Sequence, residues 1–191
     1  MVLSFVLVTA CTRGDEAAIS SPSTTATTAT AATVSTTTAA PPTTVAGPDP
    51  CAASALAIEA GEGRAALGHG LSVYELRNTS SEACRMSGYP TVTVVDAQGR
   101  VLAEAQRGPG RILPDRPPAS VVVAPGARAY VGVESPNVCG DGVRPAAADA
   151  VRVTPPGTTG APLTAVATIA VCPGQAVLVS PVRATEADLT R

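Results

Sequence analysis

Of the five cysteines in this chain, Cys51, Cys84, Cys139 and Cys172 are widely spaced and form no C-x-x-C pair. The only imidazole that could join them at a metal is His69. A structural zinc site draws on closely spaced thiolates or paired histidines, so this pattern reads as disulfides made in an oxidising compartment. Four cysteines allow three connectivities. Cys51 with Cys84 and Cys139 with Cys172 is favoured, because the two loops are then of similar length and stay within neighbouring strands. In the chain-entropy picture each such loop contributes at most about 3.7 kcal/mol, which matters for a core built largely of Val and Ala.

The fifth, Cys11, has different surroundings. Val2 to Val8 is a short apolar run, then come Thr9, Ala10 and Cys11, and the chain turns polar at Thr12, Arg13, Gly14, Asp15 and Glu16. Residues 1–10 read as a signal peptide. Val8-Thr9-Ala10-Cys11 resembles the bacterial lipobox, which implies cleavage before Cys11 and acylation of its thiol. Two or three acyl chains hold a protein stably at a membrane surface, whereas one binds only marginally. Secretory leaders open on positive charge, but Met1 is followed by Val2 and no cation precedes Cys11. The expectation is that translation starts further upstream, at a codon followed by one or more Arg.

Residues 11–50 are mostly Thr, Ala, Ser and Pro, with Pro41-Pro42 and Pro48-Asp49-Pro50 near the end. Such a stretch cannot bury enough apolar surface to offset its ordering entropy. It reads as a disordered linker, a coil spanning roughly 35 Å that lifts the cysteine-bearing domain clear of the lipid.

Other chemistry is thinly represented. Acyl transfer needs a nucleophile, a base and an orienting acid, and His69 stands between glycines with no G-x-S-x-G or H-E-x-x-H motif in the chain. The acidic residues show no spacing that predicts a shared glycosidase cleft. Gly61-Glu62-Gly63 lacks the Lys and helix of a phosphate loop. No catalytic residue, metal ligand or cofactor is assigned. Setting aside Arg13, Asp15, Glu16 and Asp49, twelve Arg and twelve acidic residues remain. A domain so balanced has no concentrated positive patch for nucleic acid. The most suggestive stretch is Glu104 to Pro118, where Arg107, Arg111 and Arg116 alternate with Gly, Pro and Asp115. A long interstrand loop is often functional, and these three Arg form a candidate binding loop for an anionic wall polymer or a protein carboxylate, beside the reading as an ordinary solvated loop.

The elements that must position these residues are short β runs. Leu71–Leu76, Thr91–Val95, Arg100–Ala103, Ser120–Val123, Arg128–Val133, Ala150–Val153, Leu163–Val171 and Gln175–Val179 are rich in β-branched residues and bounded by turn signals. Asp96-Ala97-Gln98-Gly99 predicts a hairpin, and Pro125-Gly126 a type II turn. Ala55 to Gly68 supports either a short helix or an irregular first strand. Eight strands without a helical period predict an all-β, immunoglobulin-like antiparallel sandwich over residues 51–182, with 183–191 as a tail.

Several marks fall together: Cys51, Gly63-Arg64-Ala65-Ala66-Leu67-Gly68-His69, Leu76-Arg77-Asn78-Thr79-Ser80, Cys84-Arg85-Met86-Ser87-Gly88-Tyr89-Pro90, Asp96 and Gly99, Ala124-Pro125-Gly126, Cys139, Thr154-Pro155-Pro156-Gly157, Cys172 and Val179-Ser180-Pro181-Val182. Together they resemble the actinobacterial secreted family catalogued as Domain of Unknown Function 4232, with C-x-x-x-G-Y-P the most specific piece. The resemblance implies a β-sandwich, frequent lipid anchoring and paired disulfides, and carries no catalytic residues. The expectation is a non-enzymatic lipoprotein on the extracytoplasmic face of the cell membrane that binds or scaffolds an envelope protein or wall polymer. A small-ligand or sugar module is the alternative, with Tyr74, Tyr89 and Tyr130 as its only stacking faces, and a hydrolase comes third.

Overall fold

The computed structural model describes residues 47–140, 142–158 and 160–190. The leader, Cys11 and the linker as far as residue 46 lie outside the described residues. The strands are β1 (Leu56–Ala60), β2 (Arg64–Ala66), β3 (His69–Asn78), β4 (Cys84–Ser87), β5 (Thr91–Val95), β6 (Val101–Glu104), β7 (Gln106–Arg107), β8 (Ser120–Val123), β9 (Arg128–Pro136), β10 (Ala150–Thr154), β11 (Leu163–Val166) and β12 (Leu178–Val179). Two short 3-10 turns, Ala53–Ala55 and Glu186–Leu189, complete the described elements.

A six-stranded sheet runs β1-β3-β9-β12-β7 with β2 also paired to β3, a four-stranded sheet runs β11-β10-β5-β6, and β4 pairs with β8. Every pairing between these strands is antiparallel except β7 with β12. The all-β antiparallel sandwich predicted from the sequence is the fold observed. Alternation explains it: Val151 and Val153 of β10 point inward while Arg152 between them does not, and Val92, Val94, Tyr74, Leu76, Val131, Val133, Met86 and Val123 meet them in one core. β8 shows where composition is ambiguous. Its three successive valines split, with Val121 and Val123 buried and Val122 exposed.

Both favoured disulfides are present, Cys51–Cys84 and Cys139–Cys172, each spanning a sequence separation of 33. Ala55 to Gly68, open to a short helix or an irregular first strand, takes the strand form, with β1 and β2 laid along the same edge of β3. Other elements differ from expectation. Leu163–Val171 is a strand only to Val166, after which Val171 makes a lone bridge to Ala146. Gln175–Val179 shortens to Leu178–Val179. Pro125-Gly126 turns as predicted, with Ala127 N–H donating to Ala124 carbonyl at 3.0 Å. Yet the turn passes the chain between sheets, because β8 pairs with β4 and β9 with β3.

Both ends of the expected domain extend further. Arg85 N–H donates to Asp49 carbonyl (2.9 Å) and Arg85 Nε to Pro48 carbonyl (2.9 Å), so the end of the expected linker is already bound to β4. Beyond Val182, expected to begin a tail, Arg183 bridges Tyr130 and Leu189 is fully buried.

The predicted hairpin joins β5 to β6, and Asp96 holds it. Its Oδ1 accepts from Gln98 N–H (3.0 Å) and Arg100 N–H (2.9 Å), and its Oδ2 from Arg100 Nε (2.7 Å). Burial raises the Asp96 carboxyl, but the Arg100 backbone and guanidinium and the Gln98 N–H outweigh it and leave it below its ordinary 3.8. A carboxyl depressed in the folded state adds stability above the unfolded value that is lost as pH falls through the folded value. In melts against pH, wild type is expected to exceed Asp96→Asn at about pH 7, with the gap closing below about pH 4; a gap that stays constant or widens in acid contradicts this role.

Candidate functional site

The loop singled out for its three Arg is a cover, and the residue that holds it is Glu134. On β9, Val131 and Val133 face the main core, so Glu134 faces the opposite side of the large sheet, where it is fully buried. Its Oε1 accepts from Arg111 N–H (2.8 Å), and its Oε2 from Ile112 N–H (3.0 Å) and Leu113 N–H (2.8 Å). A buried carboxylate is tolerated when it is hydrogen-bonded in this way. Gly110 completes the cradle, since a Cβ there would fall on the Glu134 carboxylate. Leu113 then seats in a second cluster with Leu71, Val73 and Leu189. Gly132 makes room for it, because a Cβ at that position would stand 2.8 Å from Leu113 Cδ2.

The three guanidinium groups are not gathered. Arg107 lies over the Tyr89 ring, 5.7 Å from its centroid, a cation–π contact. Arg116 Nη1 meets Asp188 Oδ1 at 3.1 Å. The Thr185 hydroxyl is the main reason the Asp188 carboxyl sits below its ordinary value, with Arg116 adding to it against partial burial. The Arg111 side chain is exposed while its backbone N–H serves Glu134. Arg183 crosses beneath, donating from Nη1 to Pro117 carbonyl (3.1 Å) and from Nη2 to Arg116 carbonyl (2.7 Å). His69 Nδ1 lies 2.9 Å from Glu134 Oε1, placing the single imidazole at the rim of this buried carboxylate. Tyr74 is buried, raised above its ordinary 10.0 by that burial, and Tyr89 and Tyr130 are half-buried. Among the described residues, no three His, Cys, Asp or Glu side chains are grouped where they could hold a metal ion.

A different region is left open. The chain enters the domain beside Arg85, and β1 starts opposite Asn78 at one end of β3. At the other end of β3, Ala66-Leu67-Gly68-His69 makes a two-residue turn with φ of 53° at Leu67 and 78° at Gly68, the I′ geometry that suits Gly, Asn or Asp. Leu67 is the one non-glycine residue with positive φ among those described, and its side chain is 80% exposed. Holding a γ-branched residue there costs on the order of 1 kcal/mol or more, with no burial in return. Asn137 N–H donates to Gly68 carbonyl at 3.0 Å, bringing Val138, 66% exposed, beside the turn. Cys139–Cys172 follows at once. Between the sheets at this end is a cavity of about 330 Å³, with Arg64, Gly70, Ser72, Ser135, Asn137 and Thr168 in its wall.

The sequence marked the Leu67-Gly68-His69 segment and the Arg loop, but not Glu134 or Ser135. A Glu between Val133 and Ser135 in a strand otherwise apolar on alternate positions was the available signal for a buried acid. Glu134→Ala leaves three backbone N–H groups without their acceptor and is expected to lower stability in urea by about 3 kcal/mol. It should also raise hydrogen exchange at Arg111, Ile112 and Leu113; unchanged protection there would rule out the carboxylate as the anchor.

The family model described as a domain of unknown function, DUF4232, matches residues 51–183. No curated protein and no solved structure matches the chain. The matched stretch takes in both disulfides, the Glu134 anchor and the Leu67 turn, and ends on Arg183, the residue that bridges Tyr130. Spanning well over half of the sequence, it shows that this chain belongs to the Domain of Unknown Function 4232 family.

Proposed function

We propose that this protein is a non-enzymatic envelope lipoprotein, held at the extracytoplasmic face of the membrane by acylated Cys11, whose sandwich binds another envelope protein through the end that carries Leu67. The observation behind this reading is the Leu67 turn. A large apolar side chain is kept in a strained backbone conformation, exposed, with Val138 next to it. Exposed apolar groups clustered at one site suit a protein partner. The position suits a tethered domain too, since Leu67 lies at the far end of β3 from where the chain enters. Ten residues of strand separate the two ends, roughly 30 Å.

Wall-polymer binding through the Arg loop has less support. Tyr89 and Asp188 already engage Arg107 and Arg116, which leaves little concentrated positive charge for a polyanion. Enzymatic activity has less still. His69 sits against Glu134, and all four domain cysteines are in disulfides.

Two measurements test this. Cys11→Ser is expected to move the protein out of the membrane fraction and detergent phase and to abolish the mass added by acylation; unchanged partitioning would remove the anchor. A photo-crosslinking residue at Leu67 is expected to capture one protein reproducibly in cells, while the same group at Val166, also exposed, captures none. Equal or absent capture at both positions would remove the docking end.

A further inference from the structure

The short sheet at the chain-entry end has one edge tied and one edge open. Arg85 N–H donates to Asp49 carbonyl (2.9 Å) and its carbonyl accepts from Cys51 N–H (3.0 Å), so the main chain of Arg85 faces the entering segment. Alternation along a strand then turns the main chain of Cys84 and Met86 toward β8, where their register partners are Val123 and Val121. Ser120 and Val122 consequently hold their N–H and C=O groups away from β4. β8 pairs with β4 alone, and among the described residues nothing bonds to Ser120 or Val122 on that outward side. Both residues are exposed, Val122 to 58%.

Exposed strand edges are ordinarily blunted by a charge, a proline or a bulge, because unpaired main-chain groups invite another strand. The other edges of this domain follow that rule or are covered. Glu59 stands on β1, Arg64 on β2, Glu104 on β6 and Arg107 on β7. β11 is uncharged but lies against β1. β8 reads Ser-Val-Val-Val and has neither charge, proline nor bulge. Its open edge is therefore unguarded.

We infer that β8 pairs with β8 of a second copy of this chain, antiparallel, about a two-fold axis through Val121. The outward groups themselves set that axis. With Val121 opposite its own copy, Ser120 of each chain faces Val122 of the other, and each such pair exchanges N–H···O=C bonds in both directions. An identical edge thus satisfies every outward donor and acceptor of Ser120 and Val122. The side chains match too: the two exposed Val122 residues become diagonal neighbours across the axis, about 7–8 Å apart, and no charge on β8 repels its copy. So short a pairing buries far less than the roughly 800 Å² per partner of a stable complex, so it needs a high local concentration. That part rests on the proposed Cys11 anchor, which gathers all copies at one surface. The two entering segments would stand at the outer edges of the joined sheet, five strand spacings or about 24 Å apart, with both tethers clear of the contact.

The test uses the full exported chain in cells, with a photo-crosslinking residue at Ser120. The adduct is expected to have twice the mass of the chain and to map to Val122 and its neighbours. The same group at Val101, 54% exposed on β6, is expected to give no such adduct. Val122→Pro removes an outward N–H that β4 does not use, and Val122→Lys sets a charge beside the axis. Each is expected to keep the unfolding midpoint and to lower the self-adduct about tenfold. The inference is overturned by a folded Val122→Lys protein that still crosslinks like wild type, by an adduct on another protein, lipid or glycan instead, or by none. Cys11→Ser at equal expression is expected to lower the self-adduct as the protein leaves the membrane. If it changes neither partitioning nor adduct, the anchor falls and the pairing stands; a membrane-bound wild type without self-adduct keeps the anchor and sinks the pairing.

Discussion

A buried carboxylate accepting three consecutive backbone N–H groups is the contact on which the outer side of this domain depends. Without Glu134, the segment from Gly108 to Leu113 would rest on Ile112 and Leu113 alone, its other side chains being small or polar. With it, Leu113 is delivered into the cluster of Leu71, Val73 and Leu189. Arg183 then secures the carbonyls of Arg116 and Pro117. The large sheet is thereby covered on both faces: by the other sheets on one side, and by a loop and the C-terminal segment on the other. An acid in that position is permitted only because its oxygens find donors as they leave water.

The main core works with modest material. Valine supplies much of it, and its larger side chains are Leu56, Tyr74, Leu76, Met86 and Ile169. Small side chains bury less area each, so covalent closure matters more. The two disulfides sit toward opposite ends of the β3–β9 pair. Cys51–Cys84 lies where the chain enters, and Cys139–Cys172 lies beyond Pro136, beside the exposed turn. The second immediately follows Val138, which is 66% exposed, and so holds that residue close to the turn.

Several of the domain's polar groups are turned inward. Asp96 closes a hairpin, Asn78 caps a turn by donating to Glu82 and Val123 carbonyls, and Glu134 anchors a loop. His69 and two of the loop arginines each meet a partner within the chain. Among the described residues, the buried side-chain atoms without a hydrogen-bond partner are His69 Nδ1, Ser135 Oγ and Arg183 Nε.

Strand positions were legible because alternation and turn residues act over a few neighbours: β5, the Asp96 turn, β8, β10 and the Gly126 turn all follow from local pattern. The disulfide pairing was legible as a preference, since loop length along the chain carries that information. β4 and β7 were not, and β1 and β2 were legible only as one alternative to a short helix, since all four are short, poor in β-branched residues and stabilised by the strands beside them. The Arg loop was visible as a long, charged, Gly-rich interruption, but its role as a cover was not, since its partner lies more than twenty residues away on another strand. The cavity was invisible for the same reason: Ala65, Gly70 and Ser135 are ordinary residues until strand register sets them in one row. By itself, the sequence determined most of the longer strands, where they turn and that the thiols pair, because those depend on neighbouring residues and composition. Only the tertiary structure decided what Glu134 holds, what Ser135 lacks and which face Leu67 presents, because burial and hydrogen-bond partners exist only once distant strands are in register.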